Sequence, residues 1–564
     1  MIRATRPTYQ RHCDQSNNLP VNFPVNVSHS IKVFFGHHRL AAGLFLLVAF
    51  KIWLVHTEDI YGSATEYDAL WFVSAAKHWY WGSEYSWIAF VRPPAYPLFI
   101  AFVHLWNIPL RIGIELMQMA GYLALVAGLR KAGVPRLVCL ASFATMILHP
   151  GSFQLNNVTM ADTFYAAILP LALGGLLLTL FTAELMHATW TGVALAVLWN
   201  TREESVLIPP MIVVFLALAL FRQRLVMRSW KPAMRYWLKP ASAMLGTLLL
   251  LNLAIDAANY RAFHSFSKSE LTASSFRAAY KALLRIKPTR DQRFVSVSTD
   301  ALQEAYSVSP TFAQLKPQFE GKLGHGWQVP ALSTLGIHEI GGPWFLWALR
   351  SAADTQDIHK NAASANRFYR NVAKEINRAC DEGRIPSRFV LSSLLDPGAI
   401  ANIRYMPQSF PRITALFLLR YHTIAERDDD ILNESQRALY DEMTNRDTNH
   451  RRIGTLGISA ALENLIGNYH RFLVVGLSVA GFAATLMIAW RFRQLRESDS
   501  LNATLILLAA TIFLRVLLFT FLDATWWVGG YERYLFPVLP LYSCFLILLI
   551  NQSLSLWRRA RPAI

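Results

Sequence analysis

Ten apolar stretches separated by polar or charged residues are the feature that most limits how this 564-residue chain can fold. A helix needs about 20 mostly apolar residues to cross roughly 30 Å of hydrocarbon, and several of these stretches approach that length. They cover residues 40–55, 112–129, 137–148, 163–181, 190–198, 206–221, 241–255, 472–490, 501–521 and 534–550. The pattern predicts an all-α polytopic membrane protein with about ten transmembrane helices.

A further apolar segment, residues 93–106, is short and begins with two prolines. We expect it to lie in the membrane interface or to re-enter the membrane, because its length does not suffice for a full crossing. Counting it as a span would also place the basic loop at residues 222–239 outside the cytosol. That placement would contradict the charge distribution along the chain.

The charge of the chain is distributed asymmetrically between the loops. The net charge is +17, and the pieces that are cytosolic when the N-terminus lies inside carry +16 of it. Lysine and arginine accumulate on the cytosolic side of membrane proteins, so we expect both termini in the cytosol. This distribution accounts for the basic residues without a nucleic-acid partner. The four cysteines, at positions 13, 139, 380 and 544, are too few and too scattered for a disulfide scaffold or a CxxC metal cluster.

The spans divide the chain into five predicted regions. One long polar segment interrupts them and is large enough to fold as a domain outside the cytosol. The regions are a basic cytosolic arm (1–39), a membrane module whose first periplasmic loop is 56–111 (40–257), a mainly helical periplasmic domain between spans seven and eight (258–468), C-terminal membrane helices (469–550) and a cytosolic tail (551–564).

Two features stand out within the predicted periplasmic domain. Apolar residues at helical spacing from Asn361 to Glu382, followed by Gly383, predict an amphipathic helix. A Gly-Gly-Pro turn at 341–343 precedes an aromatic run that includes Trp344 and Trp347. That run is suited either to core packing or to covering a site.

Charged residues collect at the predicted outer ends of the spans, in five sequence stretches that are far apart. Charges beside spans are costly and tend to be paired or functional. The stretches are TEDIYGSATEYDALW, FVRPPAYPLF, NNVTMADTFY, LWNTREESVL and DATWWVGGYERYLFPVLP. Each residue alone has a structural explanation, because an arginine near a span end commonly snorkels or pairs with a nearby carboxylate. Together they predict a polar cavity at one membrane surface. Lys51 and Arg515 are buried charges within spans, and their partners are left open.

The order of these motifs resembles the GT-C superfamily of integral membrane glycosyltransferases, especially bacterial protein mannosyltransferase and aminoarabinose transferase types. The resemblance covers roughly residues 40–255 and 470–550. It rests on Asp68 in EYDALWFVSAA, RPPAYPLF from Arg92, the Asp162 region, TREE from Thr201, and RYLFPVLP from Arg533. Family members often carry two adjacent acids or a lysine where this chain has a single Asp68 and Arg92, so donor sugar and acceptor stay open.

The resemblance implies transfer of a sugar from a polyprenyl-phosphate donor to a periplasmic glycan, lipid or protein, with inversion at the anomeric carbon. It also implies a bacterial inner-membrane location with a periplasmic active site. Asp68 would be the general base, and Arg92, Arg202 and Arg533 would bind the donor phosphate. Further candidates for substrate contact or a divalent cation are Glu66, Tyr96, Asp162, Glu203, Tyr531, Glu532 and His338. Metal dependence is left open.

Other functions are compatible with parts of this pattern. A ligase or polymerase could move an oligosaccharide from a polyprenyl diphosphate. A transporter or flippase of envelope precursors could use Lys51, Glu115 and Arg515 to line a path, although we find no duplicated halves of the kind that transporters show. A noncatalytic scaffold would tolerate replacement of Asp68.

Overall fold

The chain is an all-α polytopic membrane protein, as its apolar pattern predicts. The computed structural model describes residues 27–56, 58–62, 66–86, 88–393, 395–419, 433–446, 457–490 and 500–559. Most of these residues are helical. The described ranges contain no β-strand beyond two isolated bridges, one of which joins Tyr61 to Val158 near the first loop.

The helices of the membrane half fall into an N-terminal and a C-terminal group. The first group is α1 (Val27–Val55), α2 (Glu66–Lys77), α3 (Ala95–Leu105), α4 (Leu110–Lys131), α5 (Arg136–Ile147), α6 (Pro150–Leu155), α7 (Ala161–Thr182), α8 (Leu185–Trp199), α9 (Ile208–Met227) and α10 (Trp230–Phe263). The second group is α21 (Gly457–Trp490), α22 (Ser500–Thr525), α23 (Tyr531–Leu535) and α24 (Leu539–Arg559). Two 3₁₀ turns, Glu203–Leu207 and Phe536–Val538, lie directly before α9 and α24.

Eight helices of the described ranges are long and apolar enough to cross a membrane. They are Leu110–Lys131, Arg136–Leu155, Ala161–Thr182, Glu203–Met227, Trp230–Phe263, Ala461–Met487, Ser500–Thr525 and Tyr531–Arg558. The other two predicted spans are also helical: residues 40–55 lie within α1, and residues 190–198 lie within the short apolar helix α8. The segment predicted to be too short for a crossing forms α3.

Close packing of α4 against α7 forms the centre of the membrane half. Small residues at this contact let the helix backbones approach each other, as is usual between membrane helices. A Cβ added to Gly128 would lie 2.7 Å from the Cβ of Leu177, so glycine is required at this distance. Helix α7 is buried along most of its length. Its first turn carries Asp162, which the packing therefore fixes in place.

The segment between α10 and α21 is helical and contains a second hydrophobic core. Its helices are α11 (Ser274–Arg285), α12 (Thr299–Val308), α13 (Pro310–Ala313), α14 (Lys316–Glu320), α15 (Lys322–Leu335), α16 (Gly342–Asp354), α17 (Ala362–Asp381), α18 (Ala399–Asn402), α19 (Met406–Leu419) and α20 (Glu434–Thr444), with 3₁₀ turns at Glu270–Thr272, Ile358–Lys360 and Ile403–Tyr405. The predicted amphipathic helix is confirmed as α17, which Asn361 caps by accepting a hydrogen bond from the Ser364 amide.

The end of this segment packs on the membrane half. Ile413 of α19 and Tyr440 and Met443 of α20 belong to the hydrophobic core of the membrane helices. Helix α21 begins at Gly457, so residue 468, where we predict the domain boundary, lies inside a helix. Helices α19 and α20 therefore connect the second core to the membrane module.

Candidate functional site

Arg92 links two of the charged stretches that the sequence places far apart. Its guanidinium binds Asp68 of α2 at 2.9 Å and Glu203 at 3.2 Å. The hydroxyl of Tyr80 donates to the Arg92 backbone carbonyl at 2.6 Å, which fixes the loop that carries it. The side chains of Arg92 and Asp68 are each 18% exposed, so the pair is accessible from solvent.

Arg202 links two further carboxylates beside the first pair. It binds Asp162 at 2.6 Å through one terminal nitrogen and Glu204 at 2.7 Å through Nε. The guanidinium carbon lies 5.2 Å from the centre of the Tyr534 ring. The three side chains of this ionic group are nearly buried, so removal of Arg202 would leave two buried carboxylates without their ion-pair partner, at a large cost in stability.

Arg533 differs from Arg92 and Arg202 in its partners. It donates to the Tyr534 hydroxyl at 2.7 Å and approaches the Met160 sulfur at 3.8 Å. Within the described residues, no carboxylate lies within 4 Å of it, and its Nε has no hydrogen-bond partner. Arg533 is thus a partly buried cation without a bonded anion.

The three arginines act on Asp68 together. Burial opposes ionisation of Asp68, but Arg92, followed by Arg533 and Arg202, holds the pKa of this carboxyl below its usual value. The structure therefore brings together all five charged stretches in one electrostatic group.

A fourth cation, Lys268, contacts the backbone of this group and is not predicted from the sequence. Its Nζ donates to the Ser205 hydroxyl and, at 3.3 Å, to the Arg202 carbonyl. Burial lowers the pKa of Lys268, while Glu203 and Glu204 counteract this. The sequence offers one signal for Lys268: it is the first lysine or arginine after the end of α10 at Phe263.

The aromatic run of α16 divides between the two roles that the sequence leaves open. Phe345 is fully buried in the second core. Trp347 instead lies over Arg92, with the guanidinium carbon 4.7 Å from its ring centre, and 5.3 Å from the ring of Trp71. The aromatic ring of Trp347 therefore lies next to the Arg92–Asp68 pair.

A buried network holds α16 against the first loop. The Arg350 guanidinium pairs with Glu270, whose other oxygen accepts from the Tyr85 hydroxyl. The backbone amide of Glu270 donates to the Phe90 carbonyl at 2.9 Å, two residues before Arg92. The network therefore ties the helix that carries Trp347 to the loop that carries Arg92.

The other predicted site residues have varied positions. Tyr96 is fully buried and packs edge-on against Phe72. Tyr531 is buried and accepts a hydrogen bond from the Val528 amide, and Glu532 follows it on the helix that carries Arg533. His338 is exposed, and no described hydrogen bond or ion pair joins it to the cluster. The side chain of Glu66 lies outside the described residues.

The two charges predicted inside spans occupy separate places. Lys51 lies 3.6 Å from Glu115 and donates to Ser152 at 2.7 Å, and Glu115 also binds Arg111 at 2.7 Å. Arg515 donates to the Tyr534 carbonyl at 2.6 Å, with no carboxylate within 4 Å among the described residues. Lys51 and Glu115 thus belong to a buried ionic network, whereas Arg515 lies near the Arg202 group, where it interacts electrostatically with Glu204.

Metal-ligating residues do not cluster here. No group of three or more His, Cys, Asp or Glu side chains suited to a metal ion occurs in the described ranges. The carboxylates of the site are instead paired with arginines.

Comparison with known proteins gives one structural similarity. No protein-family model matches the chain. No curated protein matches its sequence. The crystal structure of ArnT from Cupriavidus metallidurans bound to undecaprenyl phosphate is similar with a TM-score of 0.30 and 10% identity, over 92% of this chain and 78% of that one. A TM-score this low assigns neither fold nor function.

Proposed function

We propose that this protein is a membrane glycosyltransferase that moves a sugar from a polyprenyl-phosphate donor to an acceptor hydroxyl. The observation that carries the proposal is the cation Arg533, which has no bonded carboxylate in the described residues and lies near the ionised Asp68. Arg533 interacts with Asp162 and Asp68 through space without bonding either, so its guanidinium can bind a donor phosphate, which has a suitable charge and geometry. The GT-C resemblance of the sequence motifs points to the same chemistry.

The proposed reaction is a single displacement. The acceptor oxygen forms a bond to the anomeric carbon while the bond from that carbon to the phosphate oxygen breaks. The bonding electrons leave with the phosphate, and the acceptor proton passes to the Asp68 carboxylate. Because a phosphate leaves without being protonated, one carboxylate suffices where glycoside hydrolases use two.

The arginines would stabilise the charge that develops on the leaving phosphate. Arg533 can bind a phosphate oxygen without losing a carboxylate partner. Arg92 bridges Asp68 and Glu203, so it can exchange Asp68 for a phosphate oxygen while it keeps Glu203. That exchange would raise the pKa of Asp68 and make it a better proton acceptor during transfer.

The remaining roles follow from the same arrangement. Arg202 would serve mainly to hold Asp162 and Glu204 in place, because both are bonded to it. Trp347 and Trp71 offer aromatic faces on which a sugar ring can pack. We place the site on the periplasmic side of a bacterial inner membrane, in line with the positive-inside distribution.

The transporter alternative is less well supported. Two of the three residues that would line a path, Lys51 and Glu115, are bonded within one buried network. Arg515 lies apart from them, against Tyr534. A fixed ionic network in the bundle is suited to structure more than to passage.

A donor panel tests the proposal against the ligase alternative. Purified full-length protein is incubated with a solubilised envelope extract that supplies acceptors and with polyprenyl-monophosphate sugars or, separately, a polyprenyl-diphosphate oligosaccharide. Release of the prenyl carrier is measured against the extract alone. We expect release from at least one monophosphate donor. Release from the diphosphate donor alone would replace the proposal with the ligase reading. If a thermal melting curve shows that the purified protein is folded, no release from any donor would reject glycosyl transfer.

A further inference from the structure

We propose that the outer face of α18 and α19, at the end of α22, is a binding site for an anionic phospholipid of the bilayer. Arg293, Arg404 and Arg412 would bind the headgroup phosphate, and exposed apolar side chains of the same segment would contact the acyl chains. The proposal depends on the protein's being embedded in a membrane and not on glycosyl transfer.

The three arginines gather at the C-terminal end of α22. Nε and a terminal nitrogen of Arg293 donate to the Ala524 carbonyl at 3.0 and 2.8 Å. Arg412 pairs with the buried Asp523 while its own side chain stays 58% exposed. Arg404 donates to the Tyr405 hydroxyl at 3.2 Å. The cluster thus sits where a span ends, at the level of the membrane surface.

The arginines are close to one another and carry excess positive charge. The guanidinium carbons of Arg293 and Arg404 lie 4.0 and 5.0 Å from the centre of the Tyr405 ring. Among the described residues, Asp523 is the one carboxylate within 4 Å of any of the three. Burial, together with the repulsion from Arg412 and Arg404, lowers the pKa of Arg293. A bound phosphate would relieve this repulsion.

The same segment exposes large apolar side chains next to the cluster. Ile400 is 69% exposed, Ile403 45% and Phe410 42%. On the inner side, Ser409 and Ile413 are buried, and Ile413 joins the core of the membrane helices. One side of the segment is therefore fixed to the bundle, and the other presents apolar groups where the bilayer surrounds it.

A bilayer lipid fits this surface better than a protein partner. The combination of apolar side chains and flanking arginines is typical of segments that lie in the membrane interface. Helix α22, on which the segment packs, also exposes large apolar side chains: Ile506 and Phe513 are 50% and 55% exposed. The cluster borders the proposed catalytic group, because Arg293 and Arg412 interact electrostatically with Tyr531, two positions before Arg533. Among the described residues, none of the three arginines forms an ion pair with Asp68, Asp162 or Glu203.

The test measures binding of short-chain phosphatidylglycerol to the purified full chain in detergent, with phosphatidylcholine as the zwitterionic reference. The variants are Arg404→Gln and the double change Arg293→Gln with Arg404→Gln. Arg412 is left unchanged because its loss would remove the ion-pair partner of the buried Asp523. Arg384→Gln is the matched control, since Arg384 is an exposed arginine that pairs with Glu382 elsewhere.

We expect wild type and Arg384→Gln to prefer phosphatidylglycerol, and each arginine removed from the site to weaken its binding about fivefold. Equal binding by wild type and the double variant would overturn the proposal. So would equal affinity for the two lipids. If polyprenyl phosphate displaced phosphatidylglycerol from wild type but not from the double variant, the site would belong to the donor and the phospholipid assignment would be wrong. Each of these outcomes is independent of whether transfer activity is found.

Discussion

Arg533 is the arginine of the cluster that is best suited to bind a ligand, because its partners differ from those of Arg92 and Arg202. Arg92 and Arg202 are each bonded to two carboxylates, so their charge is already compensated. Arg533 is bonded to a tyrosine hydroxyl and a methionine sulfur. The sequence alone gives the three arginines equal standing as phosphate ligands, and the geometry distinguishes them.

We predict that Arg533→Ala lowers kcat/KM about 100- to 1000-fold, the usual effect of removing one group that stabilises charge in a transition state. Arg533→Lys should recover part of the rate, because it restores the charge but not the planar fork. Steady-state transfer assays measure both. Unchanged kinetics for Arg533→Ala would remove this residue from phosphate binding. Arg384→Ala, on the surface, controls for general effects of losing an arginine.

Part of this site follows from the sequence, and part does not. The charged stretches near Asp68, Arg92, Asp162 and Arg202 are visible because charges beside apolar spans are unusual. Their pairing is not visible, since Arg202 binds a carboxylate 40 positions away and another two positions away. Such pairing is set by how α7 packs and not by local pattern.

At the scale of elements, α16 depends on a buried ion pair for its position. The side chains of Arg350 and Glu270 are 0% and 5% exposed. We predict that Glu270→Gln destabilises the protein by about 3 to 5 kcal/mol, because it removes the carboxylate charge that pairs with the buried Arg350 guanidinium. Thermal unfolding in detergent measures this. Glu382→Gln breaks an exposed pair and should change stability by less than about 1 kcal/mol. Equal effects of the two substitutions would contradict the network.

The same network predicts a pH dependence of stability. Burial, followed by the charge of Arg350, holds the pKa of His359 well below its usual value. The unfolded chain takes up a proton at His359 below about pH 6.5, whereas the folded chain does not. The stabilisation is therefore complete above that pH and is lost progressively as the pH falls.

We expect the Tm to drop between pH 7 and pH 5 and the drop to be smaller in His359→Gln. His325→Gln, at an exposed histidine that bonds the Gly321 carbonyl, is the matched control and should keep the wild-type slope. Parallel slopes for wild type and His359→Gln would show that this histidine does not contribute.

Some elements are predictable because their pattern is local. The apolar run at residues 163–181 becomes α7, and the amphipathic run after Asn361 becomes α17. Helices α18 and α19 escape prediction because Arg404, Pro411 and Arg412 interrupt their apolar pattern. Their burial comes from contact with α22, which no local pattern encodes.

At the scale of the whole molecule, the charge asymmetry and the proposed function predict the same orientation. The positive-inside distribution predicts that the loop between α9 and α10 is cytosolic and that the segment with the second core lies outside the cytosol. We predict that Lys231→Cys is protected from a membrane-impermeant maleimide in intact cells and that Ser333→Cys is labelled. Both positions are exposed, and a Cys13→Ser background removes the cysteine that lies outside the described residues. Labelling of Lys231→Cys but not of Ser333→Cys would show that the topology is the reverse of the predicted one and that the site faces the cytosol.

The central claim is that Asp68 is the base of a glycosyl transfer, and its most direct test is the transfer rate of Asp68→Asn. With a donor on which wild type is active, we predict a loss of about 100- to 10,000-fold in kcat, with folding retained. Asp291→Asn, which neutralises an exposed carboxylate that pairs with Arg388, should transfer at the wild-type rate. Wild-type turnover by Asp68→Asn would contradict the claim.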